Sequence, residues 1–288
     1  RHPDMIRLTG NHPFNAEPPL TTLINSGKIL DKSLHYVRNH GCVPRINWEE
    51  HELIIDAIYP NLINNPIILK MDDIVNMDSI TFLCNLTCAG NRRKELNMIK
   101  KTIGFNWGSA ATACSEWTGI PLRSLLLKAK INLTDAKYVC FEGADKLPNG
   151  FYGTSIDINY AMDIANDIII AFKQNGEYLT PDHGYPCRII IPGMIGGRMV
   201  KWLTKIIISD KESENYYHYF DNRILPSYID KELADNDKWW YKQEYIFNEL
   251  NINSVIALPA HDEIINTNND IYIVKGYAYS GGGKKITR

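Results

Sequence analysis

The chain has 288 residues, of which 44% are hydrophobic, and a formal net charge of -2. This is enough apolar material for one large core, or for one domain and part of a second. The near-neutral charge argues against a nucleic-acid partner, and no apolar run approaches the roughly 18–20 residues of a membrane helix, so we expect no membrane partner either.

Short apolar runs alternate with Gly, Pro and Asn, which predicts a chain of mixed α and β structure. Residues 80–87 and 138–142 have the composition of strands. Residues 117–130 have helical spacing, with Pro121 near the start, where the missing N–H costs least. Residues 188–192 form a β-branched run that ends at a Pro-Gly turn, which predicts a third strand.

The pattern changes near residue 250. Residues 254–259 and 271–279 are predicted to be strands, residues 281–283 a glycine turn, and residues 284–288 the start of another strand. We expect these to be the opening strands of an immunoglobulin-like β-sandwich that the chain does not complete. The predicted division is therefore a first domain at 1–250 and a truncated second domain at 251–288.

The six cysteines include no Cys-x-x-Cys pair, which disfavours a zinc ribbon or an iron–sulfur loop. Six cysteines in a chain of this length are not a disulfide-dense pattern, and a reducing compartment fits them best. We therefore expect a cytoplasmic protein.

The segment from Thr87 to Arg93 has the strongest chemical pattern. A strand delivers Cys88 to a turn containing Gly90, and two arginines follow at once. Neighbouring positive charge lowers the pKa of a cysteine and favours the thiolate, the form that binds soft metals. For an isolated cysteine, a buried structural thiol beside a solvated basic turn would be the better interpretation.

The wider sequence favours the metal interpretation. Cys-Ala-Gly-Asn-Arg-Arg at 88–93 resembles the molybdenum-ligand motif of the sulfite oxidase family, which includes the eukaryotic assimilatory nitrate reductases. Similar segments stand in family order at 36–41, 104–108, 152–156, 182–186 and 192–203. The resemblance runs from about residue 8 to residue 288.

This resemblance implies an α+β fold: a sulfite-oxidase-like molybdopterin-binding domain with mixed sheets, followed by the β-sandwich dimerisation domain. It implies a molybdenum-molybdopterin cofactor (Moco), with the metal held by the pterin dithiolene and by the thiolate of Cys88. The family positions that contact the cofactor correspond here to Arg38, Asn39, His40, Asp145, His183, Arg188, Met199, Val200 and Lys201. Guanidinium and ammonium groups suit the pterin phosphate, and the turn at 193–197 would let backbone N–H groups approach it.

The resemblance also implies an anion pocket. Arg38 and Arg93 match the positions that line it, and an arginine can bond two oxygens of a flat anion at once. Trp107 matches a tryptophan at the pocket edge, although a core aromatic is nearly as good an interpretation from physics alone. Asn222 is the best match to a substrate-contacting asparagine, with Asp221 one residue away in register. Cys88, Arg38 and Arg93 are the expected catalytic residues, whereas Arg92 is expected to be structural.

Two further segments distinguish the substrates implied by the resemblance. Residues 216–226 and 244–254 look like the corresponding stretches of nitrate reductases, and sulfite oxidases differ in the first of them. The implied reaction is reduction of nitrate to nitrite by oxygen-atom transfer. Oxidation of sulfite to sulfate stays open, as does a fragment that binds the cofactor without turnover.

The expected partners follow from the same resemblance. A cytochrome b5-like haem domain would donate electrons, supplied by NAD(P)H through FAD, and we expect haem and FAD only in domains that this chain lacks. Relatives dimerise through the sandwich domain, so a homodimer is expected for a full-length protein.

Overall fold

The computed structural model describes residues 1–266, 268 and 271–287. Fourteen strands are described there: β1 Ile6–Arg7, β2 Ala16–Glu17, β3 Glu52–Ala57, β4 Ile67–Lys70, β5 Ile80–Thr87, β6 Thr112–Pro121, β7 Tyr138–Leu147, β8 Gly150–Asp157, β9 Ile169–Gln174, β10 Glu177–Tyr178, β11 Arg188–Ile190, β12 Leu203–Ser209, β13 Asn253–Leu258 and β14 Lys275–Tyr279. The α-helices of the same residues are short: α1 Leu20–Asn25, α2 Met71–Val75, α3 Arg93–Leu96, α4 Leu122–Lys128, α5 Ile158–Met162, α6 Tyr216–Phe220 and α7 Lys231–Asn236. Short 3₁₀ turns include Pro181–His183 and Gly196–Arg198.

Two five-stranded sheets form the body of the molecule. One has the order β10-β9-β6-β5, with β11 also pairing with β9, and the other has the order β4-β3-β12-β7-β8. The second sheet is mixed, because β12 runs parallel to β3 and antiparallel to β7. Small pairs, β1–β2 and β13–β14, complete the described strands. The expectation of an α+β chain with mixed sheets is confirmed.

Alternation along the strands determines which side chains enter the core. Along β7, every second residue from Val139 to Leu147 is buried, which is the period-two pattern of a sheet with one face covered. Asp145 lies on this inward face, with Phe141 in the same row. The fold therefore holds a carboxylate among apolar side chains, where it would be costly without a purpose.

The strand predicted at 80–87 is confirmed as β5, and the strand predicted at 138–142 extends to Leu147. The helix predicted at 117–130 is wrong in its first part. Residues through Pro121 complete β6, and only Leu122–Lys128 is helical. Strand β6 is paired on both sides, by β5 and by β9, and this long-range pairing overrides the local helical spacing.

The two strands predicted near the C-terminal end form an antiparallel hairpin, with Asn253 opposite Tyr279. The second strand of the hairpin begins only at Lys275. Residues 284–287 form no strand, so the strand predicted at 284–288 is wrong for these residues. Arg288 lies outside the described residues. Instead of extending, this segment folds back, with the Gly282 amide donating to the Gly193 carbonyl.

No helix in the described part of the chain is both long enough and apolar enough to cross a membrane.

Candidate active site

A tight turn presents Cys88 at the end of β5. The Cys88 amide donates to the Ala111 carbonyl at 2.9 Å, which continues the β5–β6 ladder by one residue. The chain then reverses, because the Asn91 amide donates to the Cys88 carbonyl at 3.0 Å. Within the turn, the Gly90 amide lies 3.4 Å from the Cys88 sulfur, as a donor to it. Cys88 is half-buried.

Gly90 is required by the space around it. A Cβ at this position would lie 2.6 Å from a guanidinium nitrogen of Arg93 and 2.7 Å from Cδ1 of Trp107. Only a residue without a side chain lets these two groups pack against the cysteine turn.

The pKa of Cys88 departs from the sequence expectation. The charges of Arg38 and Arg93 do lower it, and so does the Gly90 amide, but burial raises it by more. The net shift is upward, so the expected depression is wrong for the free thiol. The neighbouring cations could be identified from the sequence, but the burial of the Cys88 thiol, which raises its pKa, could not.

Two guanidiniums, those of Arg38 and Arg93, lie near the cysteine turn and Phe105. Arg93 donates to the Phe105 carbonyl at 3.2 Å, and Gly104, with φ +111°, leaves room for its guanidinium. The Arg38 guanidinium lies 4.8 Å from the centre of the Phe105 ring, and its Nη1 is buried without a hydrogen-bond partner in the described chain. Burial lowers the pKa of Arg93, and the charge of Arg38 lowers it further. Like charges are brought together here, which favours an anion between them.

A second group of cations lies beside the first. Arg188 is buried and donates to the carbonyls of His183 and Met199 at 3.0 and 3.1 Å. Lys201 donates to the Asp182 carbonyl at 2.8 Å and to the side chain of Asn39. Burial lowers the pKa of Lys201 to about 7 and that of Arg188 to about 10. Two buried cations so close together would favour a bound anion.

Asp145 and His40 are two further titratable residues of the predicted site. Burial raises the pKa of Asp145 to about 7, against the opposing charges of Lys201 and Arg38. His40 Nε2 lies 2.9 Å from a carboxylate oxygen of Asp221. Burial nevertheless lowers the pKa of His40 to about 4, so its ring is neutral near pH 7.

Several buried polar atoms around these cations have no hydrogen-bond partner among the described residues. They are His35 Nε2, Arg38 Nη1, Trp107 Nε1, Asp145 Oδ1 and Arg188 Nε. Native proteins pair nearly all such atoms, and each unpaired one is destabilising. A polar, anionic group with several acceptors and donors would satisfy them, and the residues present therefore fit a phosphorylated pterin.

Met199 and Val200, expected to contact the cofactor, are buried and act here through their backbone. Met199 offers its carbonyl to Arg188, and Val200 offers its carbonyl to the Ile189 amide at 3.0 Å. Across residues 1–266, 268 and 271–287, no group of three or more His, Cys, Asp or Glu side chains is arranged to hold a metal ion.

Trp107 and Asn222 are more deeply buried than the sequence suggested. Trp107 is fully buried and meets the Tyr36 ring edge-on, with 6.0 Å between the ring centres. Asn222 is 2% exposed, and its amide group donates to the Tyr217 carbonyl at 2.9 Å and to the Tyr152 hydroxyl at 3.3 Å. Both N–H groups of Asn222 are thus committed within the protein, whereas Asp221 faces His40.

Arg92, expected to be structural, forms an ion pair with Glu95. It adopts a left-handed backbone at φ 65° immediately before α3.

Two functional residues were missed from sequence. Glu17 is buried and accepts the Gly108 and Ala110 amides at 2.5 and 3.0 Å, which fixes the loop that carries Trp107. No local sequence signal identifies Glu17, because 91 positions in the sequence separate it from Gly108. His35 packs on the ring of His183 at 4.7 Å between ring centres, and its position beside a matched segment was an available signal.

The site combines a single cysteine thiol at a strand end, nearby guanidiniums, and buried polar atoms without hydrogen-bond partners in the described residues. These features fit an anionic cofactor that brings its own metal ligands. Residues 40–217 match the family described as the oxidoreductase molybdopterin binding domain, and residues 244–288 match the Mo-co oxidoreductase dimerisation domain. The chain belongs to the oxidoreductase molybdopterin binding domain family, as the sequence resemblance predicted, and molybdopterin is its cofactor.

Several relatives match along the whole chain. A nitrate reductase [NADH] of Spinacia oleracea is 56% identical over 298 residues, covering 100% of this chain and 32% of the relative. One of Volvox carteri is 53% identical, covering 100% of this chain and 34% of the relative. The chain thus spans about a third of the length of these relatives.

A solved structure shares the fold. The crystal structure of the sulfane dehydrogenase SoxCD from Paracoccus pantotrophus aligns with a TM-score of 0.73 at 23% identity, covering 96% of this chain and 64% of that one. At this identity the likeness concerns the fold alone. The predicted fold class, a molybdopterin-binding domain with mixed sheets followed by the start of a dimerisation domain, is confirmed.

Proposed function

We propose that this chain reduces nitrate to nitrite by oxygen-atom transfer at a molybdenum-molybdopterin centre. The observation that carries the proposal is the placement of two guanidiniums beside the cysteine turn: Arg93 packs against Gly90 and donates to the Phe105 carbonyl, and Arg38 lies over the Phe105 ring. The names of relatives more than 50% identical along the whole chain support nitrate as the substrate.

The chain's own residues would hold the cofactor in two regions. Cys88 would provide the protein's thiolate to the metal, and Arg188 with Lys201 would face the pterin phosphate, beside Asn39 and His183. When bound, the cofactor supplies the electrons and the site at which the oxygen atom is transferred.

The arginines would bind and orient the substrate. Nitrate is planar, and a guanidinium can bond two of its oxygens in one plane, which fixes the direction in which the anion points. Because the pocket is desolvated, each such bond is stronger than it would be in water. Trp107 would form an apolar wall that excludes water from one side. Asn222 stays the predicted substrate-contacting asparagine; its side-chain amide bonds the Tyr217 carbonyl and the Tyr152 hydroxyl, so donation to nitrate would require it to exchange one of these partners.

The remaining partners belong to the same proposal. A cytochrome b5-like haem domain would supply electrons from NADH through FAD, in the cytoplasm and in the service of nitrate assimilation. Homodimerisation would use the unit that begins near residue 251, and the proposed domain division is 1–250 and 251–288. The dimerisation-domain match from residue 244 onward supports this division.

A direct comparison of substrates tests the proposal. Purified, cofactor-loaded chain is assayed for nitrite formation from nitrate with a reduced viologen donor, and in parallel for sulfite oxidation with ferricyanide. We expect a higher kcat/KM for nitrate. Sulfite oxidation without nitrite formation would replace the proposed reaction with the sulfite alternative, and metal without either activity would replace it with cofactor binding alone.

A further inference from the structure

The β13–β14 hairpin contacts the turn that carries Cys88. Tyr277 and Tyr279 lie on the same face of β14, and their rings are nearly parallel with centres 5.8 Å apart. Both hydroxyls accept hydrogen bonds from the side-chain amide of Asn91, at 3.1 Å for Tyr277 and 3.0 Å for Tyr279. Asn91 is 8% exposed and lies three residues after Cys88.

Asn91 transmits this contact to the cysteine. Its amide N–H donates to the Cys88 carbonyl at 3.0 Å, and its side-chain oxygen accepts the Ala111 amide at 3.1 Å. Ala111 is the residue whose carbonyl accepts the Cys88 amide. Every polar group of the Asn91 side chain is therefore used to connect the hairpin, the cysteine turn and the start of β6.

Three further hydrogen bonds hold the turn from both sides. The Tyr277 hydroxyl donates to the Ser109 carbonyl at 2.5 Å. Arg92 donates to the Asn253 side chain and to the Ser254 carbonyl, at 2.8 and 2.7 Å. Strand β13 thus holds the residue after Asn91, while β14 holds Asn91 itself. This contact surface is polar and specific, unlike the apolar packing that would merely attach one unit to another.

We propose that Tyr277 and Tyr279 are positioning residues that fix the Cys88 thiol through Asn91, so that the first hairpin of the dimerisation unit is part of the active-site framework. Removal of the phenol hydroxyls would leave the Asn91 amide without acceptors in a buried place and loosen the turn. The positions of these residues do not depend on which substrate is used, although the proposal rests on the proposed role of Cys88 as the metal's ligand.

Cys88 alkylation in the cofactor-free full chain provides the test. Iodoacetamide labelling, followed by mass spectrometry, gives the rate at each cysteine. Exposed Cys42 is the internal reference, and buried Cys84 and Cys187 report general loosening. The variants are Tyr277→Phe, Tyr279→Phe, the double phenylalanine variant and Asn91→Ala. Tyr272→Phe is the matched control, because it removes a phenol that bonds Glu263 away from the site.

We expect the Cys88 rate of the double variant to rise at least about fivefold, because one lost hydrogen bond already has about this effect and the variant loses both Asn91 bonds and the Tyr277–Ser109 bond. The rates at Cys84 and Cys187 should be unchanged. Adding Asn91→Ala to the double variant should raise the Cys88 rate by less than Asn91→Ala does in the wild-type chain, because the two bonds to the tyrosines are already lost and only the bond from the Ala111 amide remains to be removed. An unchanged Cys88 rate, an equal rise at Cys84 and Cys187, or fully additive effects would each overturn the proposal.

A second readout uses the molybdenum-loaded chain. The sulfur-to-metal charge-transfer absorption should shift in the double phenylalanine variant and not in Tyr272→Phe, because the thiolate is reoriented. No shift would overturn the positioning role. If the wild-type chain forms no nitrite yet shows the protected thiol and the shift, the proposed reaction fails while this inference stands.

Discussion

The guanidinium of Arg198 donates to Nδ1 of His218 at 2.8 Å, and Nε2 of the same imidazole lies 2.9 Å from Glu212. Since Nδ1 accepts, the ring proton is at Nε2, and the buried histidine is neutral. This network lies beneath the Gly196–Arg198 turn and supports the segment that carries Asp221 and Asn222.

Acidification should therefore destabilise the fold. Burial lowers the pKa of His218 to about 4 and that of His35 to about 3, from an ordinary value of 6.5. Between pH 6.5 and the lowered pKa of each histidine, the unfolded chain binds more protons than the folded chain. The free energy of unfolding therefore falls as pH falls from 6.5 towards 4. One such histidine contributes up to about 3 kcal/mol over this range.

Denaturant unfolding at several pH values between 7.5 and 4.5 measures this effect. His218→Gln should have a shallower pH dependence than wild type, whereas His261→Gln, at an exposed position, should follow wild type. Equal slopes of the free energy of unfolding against pH for wild type and His218→Gln would show that His218 does not contribute to the pH dependence.

Replacement of Arg93 by lysine should damage the pocket while keeping its charge. Lysine cannot bond two oxygens of nitrate in one plane, so KM for nitrate should rise and kcat should fall, together lowering kcat/KM by roughly 10-fold to 100-fold. Steady-state nitrite formation measures both constants. Arg123→Lys, on the exposed side of α4, is the control, and an unchanged kcat/KM in Arg93→Lys would exclude Arg93 from the pocket.

Gly90→Ala should disturb the same site by steric overlap. The new methyl group would lie within 2.7 Å of Arg93 and Trp107, so one of them must move, at a cost of about 1–3 kcal/mol in stability. Thermal unfolding and the nitrate KM should change together. Gly10→Ala serves as the control, because no atom lies within 4 Å of a Cβ there; a Gly90→Ala protein with native stability and KM would contradict the described packing.

Lys201→Gln tests the buried cations Arg188 and Lys201. Removal of a buried ammonium that would face the pterin phosphate should lower cofactor retention by about 10-fold or more, given the usual strength of such charge-assisted bonds. Pterin fluorescence after oxidative release measures cofactor per chain. Lys205→Gln, whose ammonium pairs with Glu142 on the sheet surface, should retain the cofactor normally. Equal retention in both variants would place the phosphate elsewhere.

The parts of the fold that depend on local sequence pattern could be predicted from the sequence. The β5 strand, the cysteine turn and the start of the C-terminal hairpin follow from residue spacing and turn chemistry alone. The helix placed at 117–130 was partly wrong because β6 gains its stability from two neighbouring strands far along the chain, which no local window contains.

Within the candidate site, a family motif identified Cys88, Arg38 and Arg93 from the sequence, and their roles stay predictions. The missed contributions come from long-range geometry. Glu17 reaches the 108–110 loop from another part of the sequence, and Tyr277 and Tyr279 meet Asn91 only because the hairpin folds back. The upward shift in the pKa of Cys88 likewise reflects burial, which composition does not reveal.

X-ray absorption at the molybdenum edge, on cofactor-reconstituted wild-type and Cys88→Ser chains, measures whether Cys88 binds the metal. Cys42→Ser is the control at an exposed cysteine. We expect one sulfur neighbour fewer around molybdenum in Cys88→Ser, together with loss of nitrite formation in the same sample. If the sulfur count and nitrite formation both stay at the wild-type level, Cys88 is not a ligand of the metal in a nitrate-reducing site.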